Sequence, residues 1–463
     1  MSRLPDTMWG EELRSRLRGR MIVPGDEAYD EARTIFYGGY DRRPALIARV
    51  ADGNDVSTVI RFARETGLEL AVRSGGHSVA GHGVSDGIVL DLSGMKTVDV
   101  DVESRTAWAE AGLTAAEFTD ATAPHGLGIG LGDTGSVGLG GITLGGGIGY
   151  LVRKHGLTID DLLAAEVVTA DGEVLSVDER SHPDLFWAIR GGGGNFGVAT
   201  RFRFALHELD TALGGMLMLP ATPETVEGFV TLADAAPWEL SAVANVMPAP
   251  PAPFVPEGWR GRLVIVALLC YAGPTDTGER ALAPFRALAE PVVDMVRTMP
   301  YREIYPPQEA GFHPTAVLRT TFVDAIDRDA AQAIVERCHD STAQMPIAQI
   351  RVLGGAMARV PKEATAFAHR DRRLMVTVTA VYTEQEQRAA HEAWADDLAR
   401  AVRHGPAGAY VNFLGDEGEA RVRQAYPGAT WERLAQIKGR YDPTNLFRLN
   451  QNIPTLSAGE EAR

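Results

Sequence analysis

Only two cysteines, Cys270 and Cys338, occur in 463 residues. That excludes a disulfide framework and a cysteine-built zinc site, leaving two buried thiols or a single bridge. No apolar run reaches the length needed to cross a bilayer. The stretch Met1 to Met21 carries Arg3, Arg14, Arg16, Arg18 and Arg20 without an apolar core, so it does not read as a secretory leader, and the expected location is the cytoplasm. Basic residues are in deficit: 45 Lys and Arg stand against 61 Asp and Glu, a net charge of −16. A surface of that sign repels phosphate backbones and anionic lipid, so nucleic acid and membranes are poor partners. The lysine-bearing phosphate loop is also missing. Two G-x-G-x-x-G strings occur, Gly130/Gly132/Gly135 and Gly192/Gly194/Gly197. Neither lies between a strand and a helix with an acidic residue about 20 positions on, as dinucleotide binding requires.

What is present is a folded chain's balance, 45% apolar and 23% charged, long enough for two or three domains. The first half alternates strand and helix signals. Strands are expected at 44–50, 68–72, 88–92, 96–102 and 164–170, with a helix ending near Thr66 capped by Asn54 or Asp55, and another over 114–125. From Gly128 to Gly149, eleven of twenty-two residues are glycine. Each interior glycine costs a helix about 1 kcal/mol against alanine, so an ordered loop system that approaches something closely is expected there. A second cluster, Gly191 to Gly197, runs into a strand at 198–204. Beyond His207, long alternating strands (263–271, 374–382) and helices (222–235, 276–289, 328–344, 384–403) follow. The fold class is α+β: residues 1–205 form a first domain of two subdomains. Residues 206–405 form a second, an antiparallel sheet backed by helices, and 406–463 return to the first.

The string most charged with chemistry is Arg73-Ser-Gly-Gly-His-Ser78. A strand ending in Ser74-Gly75-Gly76 presents consecutive amides unobstructed by Cβ, suited to a pyrophosphate, with Arg73 adding charge and His77 beside the cofactor. A tight turn bearing a surface histidine fits those residues equally.

Four further strings follow in order. They are Ser136-Val-Gly-Leu-Gly-Gly141 with Gly145-Gly-Gly-Ile-Gly149; His155-Gly-Leu-Thr-Ile-Asp160; Asp184-Leu-Phe-Trp-Ala-Ile-Arg-Gly-Gly-Gly-Gly-Asn-Phe-Gly197; and Tyr410-Val-Asn-Phe413 with Asp442-Pro-Thr-Asn445 and Asn450-Gln-Asn452. Together the five resemble the FAD-linked oxidases with a p-cresol-methylhydroxylase-type FAD domain, in their berberine-bridge-enzyme-like branch. The resemblance covers about 40–205 and 408–455. It implies one FAD bonded covalently through the imidazole of His77. Many members add a cysteine bond to the flavin, and here that position is Thr134, so His77 is the single expected attachment. The resemblance places Gly138, Leu139, Gly140, Gly141, Ile142 and Val198 on the FAD through backbone amides. It places His155, Asn412, Asn450 and Tyr410 near the flavin.

The implied reaction is hydride transfer from an alcohol, sugar or amine C–H to the flavin, with O₂ reoxidising it to give H₂O₂. A dehydrogenase with another acceptor, or a flavin-retaining binding protein, are the alternatives. The base is unassigned. Many relatives carry a tyrosine where this chain has Phe413, and others a carboxylate in the strand that here reads Leu374-Met-Val-Thr-Val-Thr379. Tyr410, His313, Arg319, Tyr382 and Glu303 are the remaining candidates, and Tyr410 is the expected catalytic residue.

Overall fold

A computed structural model describes residues 7–305 and 311–455; Arg3 and the end of the returning segment lie outside the described residues. Four strands open the fold in the order Arg20–Ile22, Leu46–Arg49, Ile88–Asp91, Leu70–Arg73, the last three parallel. Helix Gly53–Thr66 crosses between them, and its cap is Asp52, whose carboxylate accepts from the amides of Asn54 and Asp55. Neither expected cap serves. Asp55 is instead buried and accepts from the amides of Arg18, Gly19 and Ala51 at 2.8–3.0 Å. A five-stranded antiparallel sheet follows, in the order Val98–Asp101, Thr106–Glu110, Val198–Ala205, Leu162–Val168, Val174–Asp178. Helix Ala115–Thr122 starts at a Thr114/Glu117 capping box.

The glycine-rich stretch departs from expectation by containing a six-residue helix, Leu139–Leu144. Tertiary contacts override its poor propensity: Leu139 is fully buried, its amide donates to Leu113 O at 2.7 Å, and that of Gly140 donates to Ala111 O at 3.2 Å.

The third sheet is antiparallel throughout and, among the described residues, eight-stranded. Its order is Val293–Asp294, Thr211–Pro220, Leu263–Tyr271, Leu240–Pro248, Met345–Val352, Leu374–Tyr382, Thr315–Val323, with Arg297–Pro300 also on Thr211–Pro220. Helices Pro223–Ala235, Thr275–Arg286, Arg328–Asp340 and Arg388–Ala401 bury Val226, Phe229, Leu282, Phe285, Ile334 and Leu398 on one face of it. The opposite face looks toward the first two sheets. Both cysteines are free and buried, Cys270 in strand Leu263–Tyr271 and Cys338 in helix Arg328–Asp340. No helix among the described residues is long and apolar enough to cross a membrane. Helix Ala429–Tyr441 and the chain after it pack Leu434, Ile437, Phe447 and Ile453 into the core of the first two sheets.

His369 sits at the seam between the large sheet and this last segment, 4% exposed, with Nε2 2.9 Å from Gln424 O. Burial holds its imidazole down at about 4. The unfolded chain takes up a proton there near pH 6.5, which the folded chain refuses until about pH 4. Stability present at pH 7 is therefore lost as pH falls through that window, by about 2 kcal/mol at pH 5 for this one group. Urea unfolding at pH 7 and pH 5 reads the loss, and His369→Gln should flatten it; an unchanged slope would refute the assignment.

Candidate active site

The three sheets enclose a cavity of about 480 Å³. Its floor is the turn after strand Leu70–Arg73. Gly76 has φ +72°, a left-handed conformation that glycine adopts at little cost. The chain turns there so that Gly75, Gly76, His77 and Ser78 all line the cavity. Among the described residues, none of the four amides donates to a protein acceptor. The four residues are part-exposed to the cavity, and a row of four consecutive free amides is suited to a ligand that supplies acceptors.

Helix Leu139–Leu144 backs this turn at backbone contact. A Cβ on Gly138 would stand 2.1 Å from Gly75 N and 2.2 Å from Ser74 Oγ. Ser74 ties the two segments, donating to Ala111 O at 2.6 Å and accepting from Gly140 N at 3.2 Å. Gly138→Ala must therefore part the two loops, since backbone cannot yield as a side chain does. We expect a loss of about 1–3 kcal/mol and weaker cofactor retention, read by thermal unfolding and bound-flavin content. A variant as stable and as yellow as the parent would contradict this packing.

Arg73 is buried, and its charge is committed: Nη2 donates to Asp91 at 3.0 Å and to Ala32 O at 2.7 Å. Its Nη1 lies buried without a protein partner, on a residue that lines the cavity. Asn450, at the far end of the chain, likewise lines the cavity with an unpartnered buried Oδ1. Val198, Gly141 and Ile142 also border it, and Gly141 and Gly194 have only open space where a Cβ would stand. Unpaired amides, unpaired buried polar atoms and glycine-cleared walls together fit a large polar cofactor.

The His77 imidazole stacks on Phe36, with centroids 4.1 Å apart and planes at 18°. Its Nε2 lies 2.9 Å from Ser136 Oγ. Burial pushes it down to about 4 against the pull of Asp133, so it is neutral at pH 7.

Comparison with known proteins supplies the family to which this cavity belongs. An FAD binding domain matches residues 44–178, and a berberine and berberine-like domain matches residues 409–454. The FAD-linked oxidoreductase YvdP of Bacillus subtilis, itself uncharacterised, is 31% identical over 95% of this chain and 99% of its own length. The (R)-6-hydroxynicotine oxidase of Paenarthrobacter nicotinovorans is 30% identical over 94% of this chain and 97% of its own. The chain belongs to the berberine-bridge-enzyme-like FAD-linked oxidases. The crystal structure of 6-hydroxy-D-nicotine oxidase from Arthrobacter nicotinovorans superposes with a TM-score of 0.84 at 27% identity, over 94% of this chain and 98% of that one. An FAD-dependent oxidoreductase with the two-part FAD domain and sheet-and-helix substrate domain of that family is thus the frame for the remaining residues.

Two residues expected at the FAD, Leu139 and His155, are not among those lining the cavity. Leu139 is fully buried in the core, and its amide is engaged by Leu113 O. His155 stacks on His207 with centroids 3.7 Å apart, and His207 Nε2 in turn lies 2.7 Å from Asp161 Oδ1. Neither lines the cavity, whereas Thr134, Gly138, Gly140, Tyr410 and Asn412 do. Tyr410 is 2% exposed, and its phenol oxygen accepts from Gly147 N and from Asn412 Nδ2, both at 3.0 Å. Burial raises the phenol above its ordinary range. A protonated phenol that accepts both bonds holds the 145–149 turn in place at the cavity wall.

The other proposed bases lie off the cavity. Arg319 pairs with Asp396 at 2.6 Å and Glu303 with Arg297 at 2.7 Å. Tyr382 packs on His391, and His313 lies against Ile35 O at 3.0 Å. Sequence reasoning missed the wall that does line it: Tyr37, Asp133, Asn245, Gln349, Arg351, Thr377 and Thr379. The alternation Ile347-Ala-Gln349-Ile-Arg351-Val was the legible signal, since every second residue of that strand faces one way.

Proposed function

We propose that this protein is an oxidase whose single FAD is bonded covalently through His77 and lies along the Gly75–Ser78 turn. The observation that carries the reading is the neutral imidazole beside four unengaged amides. An alkylating flavin carbon requires an unprotonated nitrogen. In the tautomer whose Nε2–H donates to Ser136 Oγ, Nδ1 carries the lone pair that can bond to the flavin. Thr134 borders the cavity where a second attachment would stand, and its hydroxyl donates to Asp133 at 3.1 Å. Neither cysteine borders the cavity, and burial pushes both thiols up to about 12, so no thiolate competes with His77.

FAD, when bound, would supply the hydride acceptor for a substrate C–H and the route for its electrons to O₂, giving H₂O₂. The protein's part is to hold the donor against the ring and exclude water. Phe413 cannot take a proton, and Thr377 and Thr379 stand in the strand where relatives place a carboxylate. The amides of Gly75–Ser78 and Nη1 of Arg73 would hold the pyrophosphate end, with Asn450 and Asn412 along the ribityl chain. Residues 1–205 and 406–463 would carry the cofactor and 206–405 the substrate wall.

Mixing anaerobically reduced protein with air-saturated buffer tests the acceptor. Reoxidation within seconds with one H₂O₂ per flavin is expected; recovery taking many minutes would leave a dehydrogenase in its place. Ser136→Ala, which frees Nε2 from its partner, should slow covalent attachment several-fold without abolishing it, read as the ratio of covalent to free flavin over time.

A further inference from the structure

The substrate wall of the cavity has a chemical polarity of its own. Strand pairing sets Asn245 opposite Gln349 and Gln349 opposite Thr377, so the three form one row across the sheet. Arg351 stands two residues along from Gln349, on the same side. The hydrogen bonds along this row can run in one direction only. A guanidinium only donates, so Arg351 Nε gives to Gln349 Oε1 at 3.0 Å. Gln349 Nε2 then gives to Asn245 Oδ1 at 2.8 Å, and Asn245 Nδ2 gives to Val266 O at 3.0 Å. A donor-only group at one end and an acceptor-only carbonyl at the other set the orientation of both amides.

The consequence is an excess of donors. Both amide oxygens in the row are engaged from within it. Asp133, the one carboxylate among the described residues lining the cavity, is engaged by Arg351 Nη2 and by Thr134 Oγ1. Left free are Arg351 Nη1, the second N–H of Gln349 and of Asn245, and the hydroxyl of Thr377. That hydroxyl is buried without a partner on a residue 4% exposed. Asp133 on one side and the Phe413 ring, 5.2 Å from Arg351 Cζ, hold the guanidinium in one pose.

We propose that this wall recognises a carboxylate, so that the oxidisable C–H belongs to a small organic acid. The inference rests on the FAD-oxidase reading above. A carboxylate offers about four lone-pair sites and matches the planar fork of an arginine. An ammonium would have to share Asp133 with Arg351 and stand beside the positive guanidinium, and a sugar hydroxyl cannot pair with both arms of its fork as a carboxylate does. Substrate class is thus set by residues of the large sheet, outside the FAD-binding strings.

The test is ligand binding to the oxidised holoenzyme, read without turnover from the shift in flavin absorbance. Benzoate, benzyl alcohol and benzylamine share one ring and differ in the group presented to the wall. Benzoate should bind at least tenfold tighter than either, and Arg351→Met should remove that margin. Asp133→Asn, close to isosteric, keeps the test usable if Arg351→Met does not fold. It removes the competing negative charge and frees Nη2, so benzoate should tighten by about tenfold, the equivalent of one charge-assisted hydrogen bond. Benzylamine binding as well as benzoate, or benzoate affinity unmoved by Asp133→Asn, overturns the proposal. Flavin retention after acid precipitation is measured on the same samples. Flavin kept with no preference for benzoate defeats only this inference, whereas flavin lost defeats the covalent reading beneath it.

Discussion

Acid-precipitated protein should form a yellow pellet, and His77→Ala should form a colourless one with all of its flavin in the supernatant. The expected change is from full to zero covalent occupancy. The physical reason is that, among the described residues lining the cavity, His82 offers the one other neutral imidazole and no thiol is present. Cys270 and Cys338 are buried elsewhere with thiols pushed up to about 12, and Thr134 offers only a hydroxyl engaged with Asp133. His82 lines the cavity and burial lowers its imidazole too, so it is the residue to watch. Covalent flavin persisting in His77→Ala would move the attachment to it. Free flavin released from the unmodified protein would falsify covalent attachment outright. The variant should still bind FAD reversibly, because the four free amides of the turn and the unpartnered Arg73 Nη1 are unaffected.

Asp442→Ala should be the most destabilising single change outside the cavity. Lys438 is fully buried, and its three N–H bonds all find oxygen: Asp442 Oδ2 at 2.7 Å, Asn195 O at 2.8 Å and Phe447 O at 3.0 Å. Asp442, equally buried, also accepts from the amides of Leu446 and Phe447 at 2.8 and 2.9 Å. Burial alone lowers the lysine's affinity for its proton, and Asp442 opposes that shift. Removing the carboxylate strands a charge in the core, at about 3–5 kcal/mol. Lys438→Met/Asp442→Ala should cost less than the two single changes summed, because no unpaired charge remains. Urea midpoints at constant m decide it, and a loss under about 1 kcal/mol for Asp442→Ala would contradict the role. Cofactor retention should fall with stability. Asn195, which Lys438 holds by its carbonyl, lines the cavity and also accepts from Ile453 N at 2.9 Å.

Much of this architecture was legible from residues alone, and the successes and failures divide by range. Strands 263–271 and 374–382 were placed at their observed ends, because alternation over nine residues is a local signal. The cap of helix Gly53–Thr66 was misassigned by two to three residues: Asn54 and Asp55 are both good caps in isolation, and only the path of the chain from Arg49 to Gly53 brings Asp52 to their amides. Helix Leu139–Leu144 was missed because its stability comes from Leu113 and Ala111 across the cavity floor, while its glycines argue against it. His155 was assigned to the flavin from the string that contains it; the fold turns that string's histidine against His207.

The sequence by itself determined the FAD cofactor, through five ordered strings, and singled out His77 as the proposed anchor. The turn Ser74–Ser78 needs small residues, a left-handed glycine and one imidazole, all within five positions, and so writes its chemistry locally. The tertiary structure decided what faces that cofactor. Asp133, Asn245, Gln349, Arg351 and Thr377 come from three strands and a loop spread over some half of the chain, and only the register of the large sheet sets them side by side. Their donor-rich surface arises from hydrogen bonds among them, a property that no one of those residues carries in its own neighbourhood.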